Sequence, residues 1–372
     1  MEKYKTCRLN KFGTFFKRRA NNKMTIMLKC LPIGSLPYSN INLVTQMMLR
    51  LFDKVPYIPF LPNIDEADNI INRTFSDDSF FKFDKNKIKL NINLDTYEDI
   101  NLIKLNETYS KPSIQTLSNY EFKSAFLEQY LKIIKRIQPE ETVINLIGPF
   151  SMAAYISNYE TEFLITDTLG RKFLTQYLTL KSLWIISKIK EISPDTKVII
   201  LFEEHKLNEF SKLKKASESV NDALLVSLYS RLFKKLKDYG GSVGIQCFSK
   251  CNWAPILEAA PNLISFDAFT NPRNLNIIGK KVNKYIANGG YINWGIIPVK
   301  SESDIKSLTI DSIFRKFIGT TNDLIAQGVS ADLLYSHSIV SIQGDTSDFS
   351  PLFTERALML ANQLSKKVPT MK

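Results

Sequence analysis

Eight short apolar runs punctuate the chain, each closing on glycine, proline or a polar residue. They are 27–34 (MLKCLPIG), 55–62 (VPYIPFLP), 142–149 (TVINLIGP), 197–204 (KVIILFEE), 242–248 (SVGIQCF), 263–268 (LISFDA), 291–298 (YINWGIIP) and 339–344 (IVSIQG). Their apolar character is continuous rather than alternating, as a strand covered on both faces requires. Longer stretches of helical period separate them. In 121–137, Phe122, Phe126, Tyr130, Ile133 and Ile137 recur at three- and four-residue steps, and 172–192 and 220–237 repeat the design. Gly240-Gly241 and Gly289-Gly290 follow two of these patterns as stop signals. Segment 82–94 (KFDKNKIKLNINL) alternates instead, and predicts a β-hairpin inserted after the second run. Eight βα units predict a closed (β/α)8 TIM barrel, with a doubly wound open sheet as the alternative. No G-x-G-x-x-G or Walker loop follows any run.

With 372 residues the chain can bury a large core, and one domain over 24–372 is the simplest division. The net charge of +12 suggests nucleic acid at first sight. Residues 1–23, however, hold eight basic side chains against one acidic, more than half of the excess. The rest is lysine spread over helical patterns with few arginines, so neither nucleic acid nor a membrane is an expected partner. The basic opening stretch has no sustained apolar period and is expected to be a disordered arm outside the domain. No apolar run reaches the ~18 residues of a spanning helix. Four cysteines in so long a chain make no disulfide framework, which suits a reducing, cytoplasmic location.

In a barrel, chemistry gathers where strands pass into the following loops. Those ends carry IGSLPY (33–38), VPYIPFLPN (55–63), IGPFS (147–151), ILFEEHKL (200–207), ISFDAF (264–269) and GGYINWGIIPV (289–299). In this order they resemble the catalytic domain of cobalamin-independent methionine synthase, within the barrel superfamily that also holds uroporphyrinogen decarboxylase. The likeness spans about residues 27 to 365. It implies a barrel that takes a small amino acid or thiol at its C-terminal mouth, with a folate or corrinoid as possible methyl source. It also implies zinc, which holds a thiol as reactive thiolate.

The resemblance places the zinc ligands at Gln246 and Phe248 after the fifth run, near Asp267 after the sixth, and at Gln343 after the eighth. Two amides, a phenyl ring and one carboxylate make no zinc site, so the metal is not expected here. A relocated site using Cys247 and Cys251 (VGIQCFSKCNW, 243–253), with His205 and Asp267, stands against the reading of both thiols as packing groups. By the same resemblance Ser35, Asp267 and Trp294 are candidate substrate contacts. Glu203 and Glu204 take the place of an acidic pair of which one member grips the substrate amino group. Neighbours on a strand face opposite ways, so only one of the two can point into the mouth. His205, beside both, is a candidate general base. Two rival readings share the fold: a non-catalytic binding protein, and a metal-free decarboxylase-like enzyme, for which Arg171 and Arg273 are the nearest cations.

Overall fold

The computed structural model describes residues 29–52, 54–75, 79–84, 87–94, 96 and 98–368. The expected basic arm, 1–23, lies outside them. Six parallel strands form one sheet: β3 (Glu141–Ile147), β4 (Lys197–Glu203), β5 (Ser242–Cys247), β6 (Leu263–Asp267), β7 (Tyr291–Ile297) and β8 (Ser338–Ile342), in sequential order. All six coincide with apolar runs. The alternating segment forms the expected hairpin, β1 (Phe81–Asp84) with β2 (Lys87–Leu90), antiparallel with Phe81 opposite Leu90.

The sheet is a half-barrel, which corrects the closed eight-stranded barrel expected from the sequence. The strand order never reverses, so it is not a doubly wound sheet either. Among the described residues neither of the first two apolar runs forms a strand, and proline is the reason. Pro32 interrupts the first; Pro56, Pro59 and Pro62 interrupt the second, and none of them can donate to a ladder. Among the described residues each run reaches the sheet through an isolated bridge, Cys30 with Val340 on β8 and Tyr57 with Val143 on β3, and Ser35 bridges Phe60 between them.

The backbone groups of the second run go elsewhere. The Ile58 and Pro59 carbonyls accept from the guanidinium of Arg73 at 3.1 and 3.0 Å, and the Leu61 amide donates to Asp68 at 3.1 Å. Arg73 and Asp68 form a fully buried ion pair at 3.6 Å, with the guanidinium stacked 3.8 Å over Phe60. Burial lowers the Arg73 pKa to about 10 against the pull of Asp68 and Glu203, and burial raises that of Asp68.

Helices cover the outer face of the sheet. The longest, Thr168–Ile192, has 18 of its 25 residues buried, so it is enclosed rather than amphipathic. The insertion supplies its outer cover: Phe80 and Phe81 of the hairpin pack on Phe173 and Tyr177 with ring centroids 5.1–6.1 Å apart. The helix Asp222–Asp238 ends beside Gly240 at φ +77°, and Gly279–Ala287 ends beside Gly289 at φ +91°, a left-handed conformation that glycine adopts freely. Among the described residues no helix is long and apolar enough to cross a membrane.

Candidate functional site

The outer and inner faces of the six strands carry different chemistry. Glu203, Gln246, Ser265 and Asn293 are register partners across β4, β5, β6 and β7, so they share a face. Side-chain hydrogen bonds extend this row at both ends. Asn145 on β3 donates to Glu203 Oε1, and the Asn293 amide donates to Ser265 at 2.8 Å and to Ser341 on β8 at 2.7 Å. A closed barrel fills its interior with branched apolar side chains; this half-barrel runs a buried polar row across its inner face. The row is incomplete. Asn145 Oδ1, Asn293 Oδ1 and, nearer the mouth, Gln343 Oε1 are buried with no hydrogen-bond partner. Each orphaned acceptor costs roughly 1–3 kcal/mol unless water or a ligand donates to it.

Carboxylates stand at the rim, where the strands end. Asp267 accepts from Gln343 Nε2 at 2.7 Å and from the Thr270 amide at 2.7 Å, and the Gln343 amide also donates to the Thr270 hydroxyl at 2.7 Å. Asp267 and Gln343 meet across Gly295, the register partner of Asp267 on the intervening strand. A β-carbon there would lie 2.9 Å from the Phe266 carbonyl and 3.3 Å from Gln343 Cα. Ser35 donates to Asp345 Oδ2 at 2.8 Å, and the Thr346 hydroxyl closes on the Ser35 carbonyl at 2.9 Å, so the first loop and the last are stitched together. The Nε2 of His205 lies 3.0 Å from Glu203 Oε2, and 41% of its side chain is exposed. Burial alone would lower the His205 pKa. The hydrogen bond and charge of Glu203, aided by Glu204 and Asp345, outweigh it and raise the pKa above the ordinary imidazole value.

Glu204 faces the other way. It is fully buried, and its oxygens accept from the amides of Phe150 and Ser151 at 3.1 and 2.8 Å, from the Ser151 hydroxyl at 2.6 Å and from Tyr229. A β-carbon at Gly148 would sit 2.2 Å from Glu204 Oε1, so glycine there clears the path of the carboxylate. Burial raises its pKa despite these donors. Glu204 thus ties β4 to the helix Pro149–Tyr155, and Glu203 is the member of the pair that reaches the mouth. Trp294 also lies on the helix side: its ring packs on Phe266 and Phe317, and its Nε1 donates to Ser338 at 2.9 Å. The cations of the decarboxylase-like reading are elsewhere, Arg171 on the carbonyls of Ile165 and Thr166, and Arg273 in an exposed pair with Asp323.

The residues at the zinc positions do not fit zinc. Gln246 belongs to the polar row, Asp267 and Gln343 are spent on each other, and Phe248, partly buried against the core, has no lone pair to give. Cys247 and Cys251 are not aimed at this face. Cys247 is the register partner of Phe266 on the helix side, and its thiol donates to the Ser249 carbonyl at 3.3 Å. A hydrogen bond with Cys247, together with burial, pushes the Cys251 thiol well above its ordinary range, away from the thiolate a metal needs. Among the described residues no three His, Cys, Asp or Glu side chains stand together as a metal site.

Sequence reasoning missed Asn145, Ser265, Asn293, Ser341 and Asp345. The signal was present: five of the six apolar runs that become sheet strands carry a polar residue inside the run. No protein-family model matches the chain, and no curated protein matches it.

Proposed function

We propose that the chain binds a small amine-bearing molecule, such as an amino acid, at the C-terminal mouth of the half-barrel. The observation that carries this reading is the unfinished inner row. Asn145 Oδ1 lies beside Glu203 and Gln343 Oε1 beside Asp267, and the third orphaned acceptor, Asn293 Oδ1, belongs to the same inner row. An ammonium offers three donors and a positive charge, which satisfies acceptors and carboxylates together. The resemblance to the methionine synthase family points to the same class of ligand, through Ser35, Asp267 and the Glu203–Glu204 pair. The proposal includes that kinship but not zinc-dependent methyl transfer, because the thiolate and imidazole donors are missing at the ligand positions. The chemistry left to the chain is proton transfer. His205, held by Glu203, can take or give a proton at the rim. A cytoplasmic location belongs to the same proposal and rests on the free thiols of Cys30, Cys247 and Cys251.

The test is a thermal-shift screen of small amino acids, thiols, folates and corrinoids, each amino acid paired with its deaminated analogue. A ligand of the folded state raises the melting temperature. The proposal expects stabilisation by an amine and its loss in the deaminated partner. Equal responses from both members of every pair would refute it.

A further inference from the structure

An open cleft, lined by none of the mouth residues, lies between the helices Thr168–Ile192 and Asp222–Asp238, with Tyr109 at its edge. It measures about 410 Å³, and its walls include Lys172, Gln176, Arg231, Lys234 and Lys235, with Asp238 the one acid. Arg231 and Lys235 stand one turn apart on the same helix face, with Lys234 beside them, and Lys172 joins them from the opposite helix. None of these four cations is in an ion pair with a described carboxylate, although ten such pairs form elsewhere among the described residues. Lys235 lies 4.5 Å over the ring of Tyr109.

Solvated cations on a helix exterior would account for Arg231 and Lys234, which are both exposed. They do not account for Gln176, which is 7% exposed, lines the cavity and makes no side-chain hydrogen bond. The unpartnered amide of this largely buried side chain, set beside converging cations, offers its N–H groups to an anion. Four cations against the single carboxylate of Asp238 leave a net repulsion, which a bound dianion removes.

We infer that this cleft binds a phosphoryl group of a small molecule, with Arg231, Lys172, Lys234 and Lys235 neutralising the charge and Gln176 fixing its orientation. The guanidinium of Arg231 can engage two phosphoryl oxygens at once. The single cleft suits one compact anion better than an extended nucleic-acid backbone, which needs a track of cations.

Calorimetric titration of the full chain with inorganic pyrophosphate at low ionic strength tests the inference. Binding should weaken with added salt, and fall at least roughly tenfold in K172E/K234E and in the milder K172Q/K234Q. It should fall about threefold or more in Q176L, which leaves the charge unchanged. A control reversal on another helix, K280E/K281E, should leave it intact. The inference is overturned if pyrophosphate binds all five proteins alike, if the control weakens binding as much as the cleft variants, or if an RNA oligonucleotide occupies the cleft and pyrophosphate does not.

Discussion

The two faces of the same six strands obey different rules. On the helix side Glu204 takes four donors and Trp294 reaches Ser338, and the buried groups without a partner there include the indole N–H donors of Trp184 and Trp253. On the inner side, as deeply buried, three amide oxygens have no partner, and carboxylates crowd the rim. Equal burial, with unpaired donors on one side and unpaired acceptors beside carboxylates on the other, is the difference on which the proposed amine site rests.

Breaking the Glu204 network should cost most. Glu204→Ala strands four donors, two amides and two hydroxyls, and should destabilise the fold by roughly 3–5 kcal/mol in urea denaturation. A loss under ~1 kcal/mol would mean that the network is not structural. Next in size is Gly295→Ala, whose methyl group meets the Phe266 carbonyl and the Asp267–Gln343 contact; about 1–3 kcal/mol is expected from the same assay. On the open face the pattern inverts. Asn293→Leu should change stability by less than ~1 kcal/mol while abolishing the ligand's thermal shift. A large loss of stability there would make the row a structural network.

The smallest effect is that of pH. The folded-state pKa of His205 is raised, so its pair with Glu203 contributes stability that is fully present below the unfolded imidazole value and is lost as pH rises through the folded value. The pair is partly exposed, so the effect should stay under about 1 kcal/mol. Comparing wild type with His205→Gln, the gap in melting temperature should shrink from mildly acidic to mildly alkaline pH. A gap that widens with pH would reverse the assigned roles.

Six strands and the hairpin were legible in the sequence because continuous and alternating hydrophobicity report burial directly. Closure was not, since apolar content alone does not reveal whether a backbone can pair. The prolines at 32, 56, 59 and 62 carried that information. The outward turn of Glu204 was legible only as a choice between two neighbours, because the parity of a strand becomes fixed by register with the next. Asn145 and Asn293 were hidden for a related reason: one asparagine in an apolar run looks like noise until four adjacent strands place their polar residues in register. Asp345 lies in a loop with no periodicity, and only its contact with Ser35, 310 residues earlier, gives it a role.

The inner row is proposed as an open site for an amine. Calorimetric titration of wild type and Glu203→Gln with L-methionine and its deaminated analogue tests it most directly. Saturable heat is expected with wild type and the amino acid alone, lost in Glu203→Gln although that variant melts close to wild type. Heat from both compounds, or binding that survives Glu203→Gln unchanged, would contradict it.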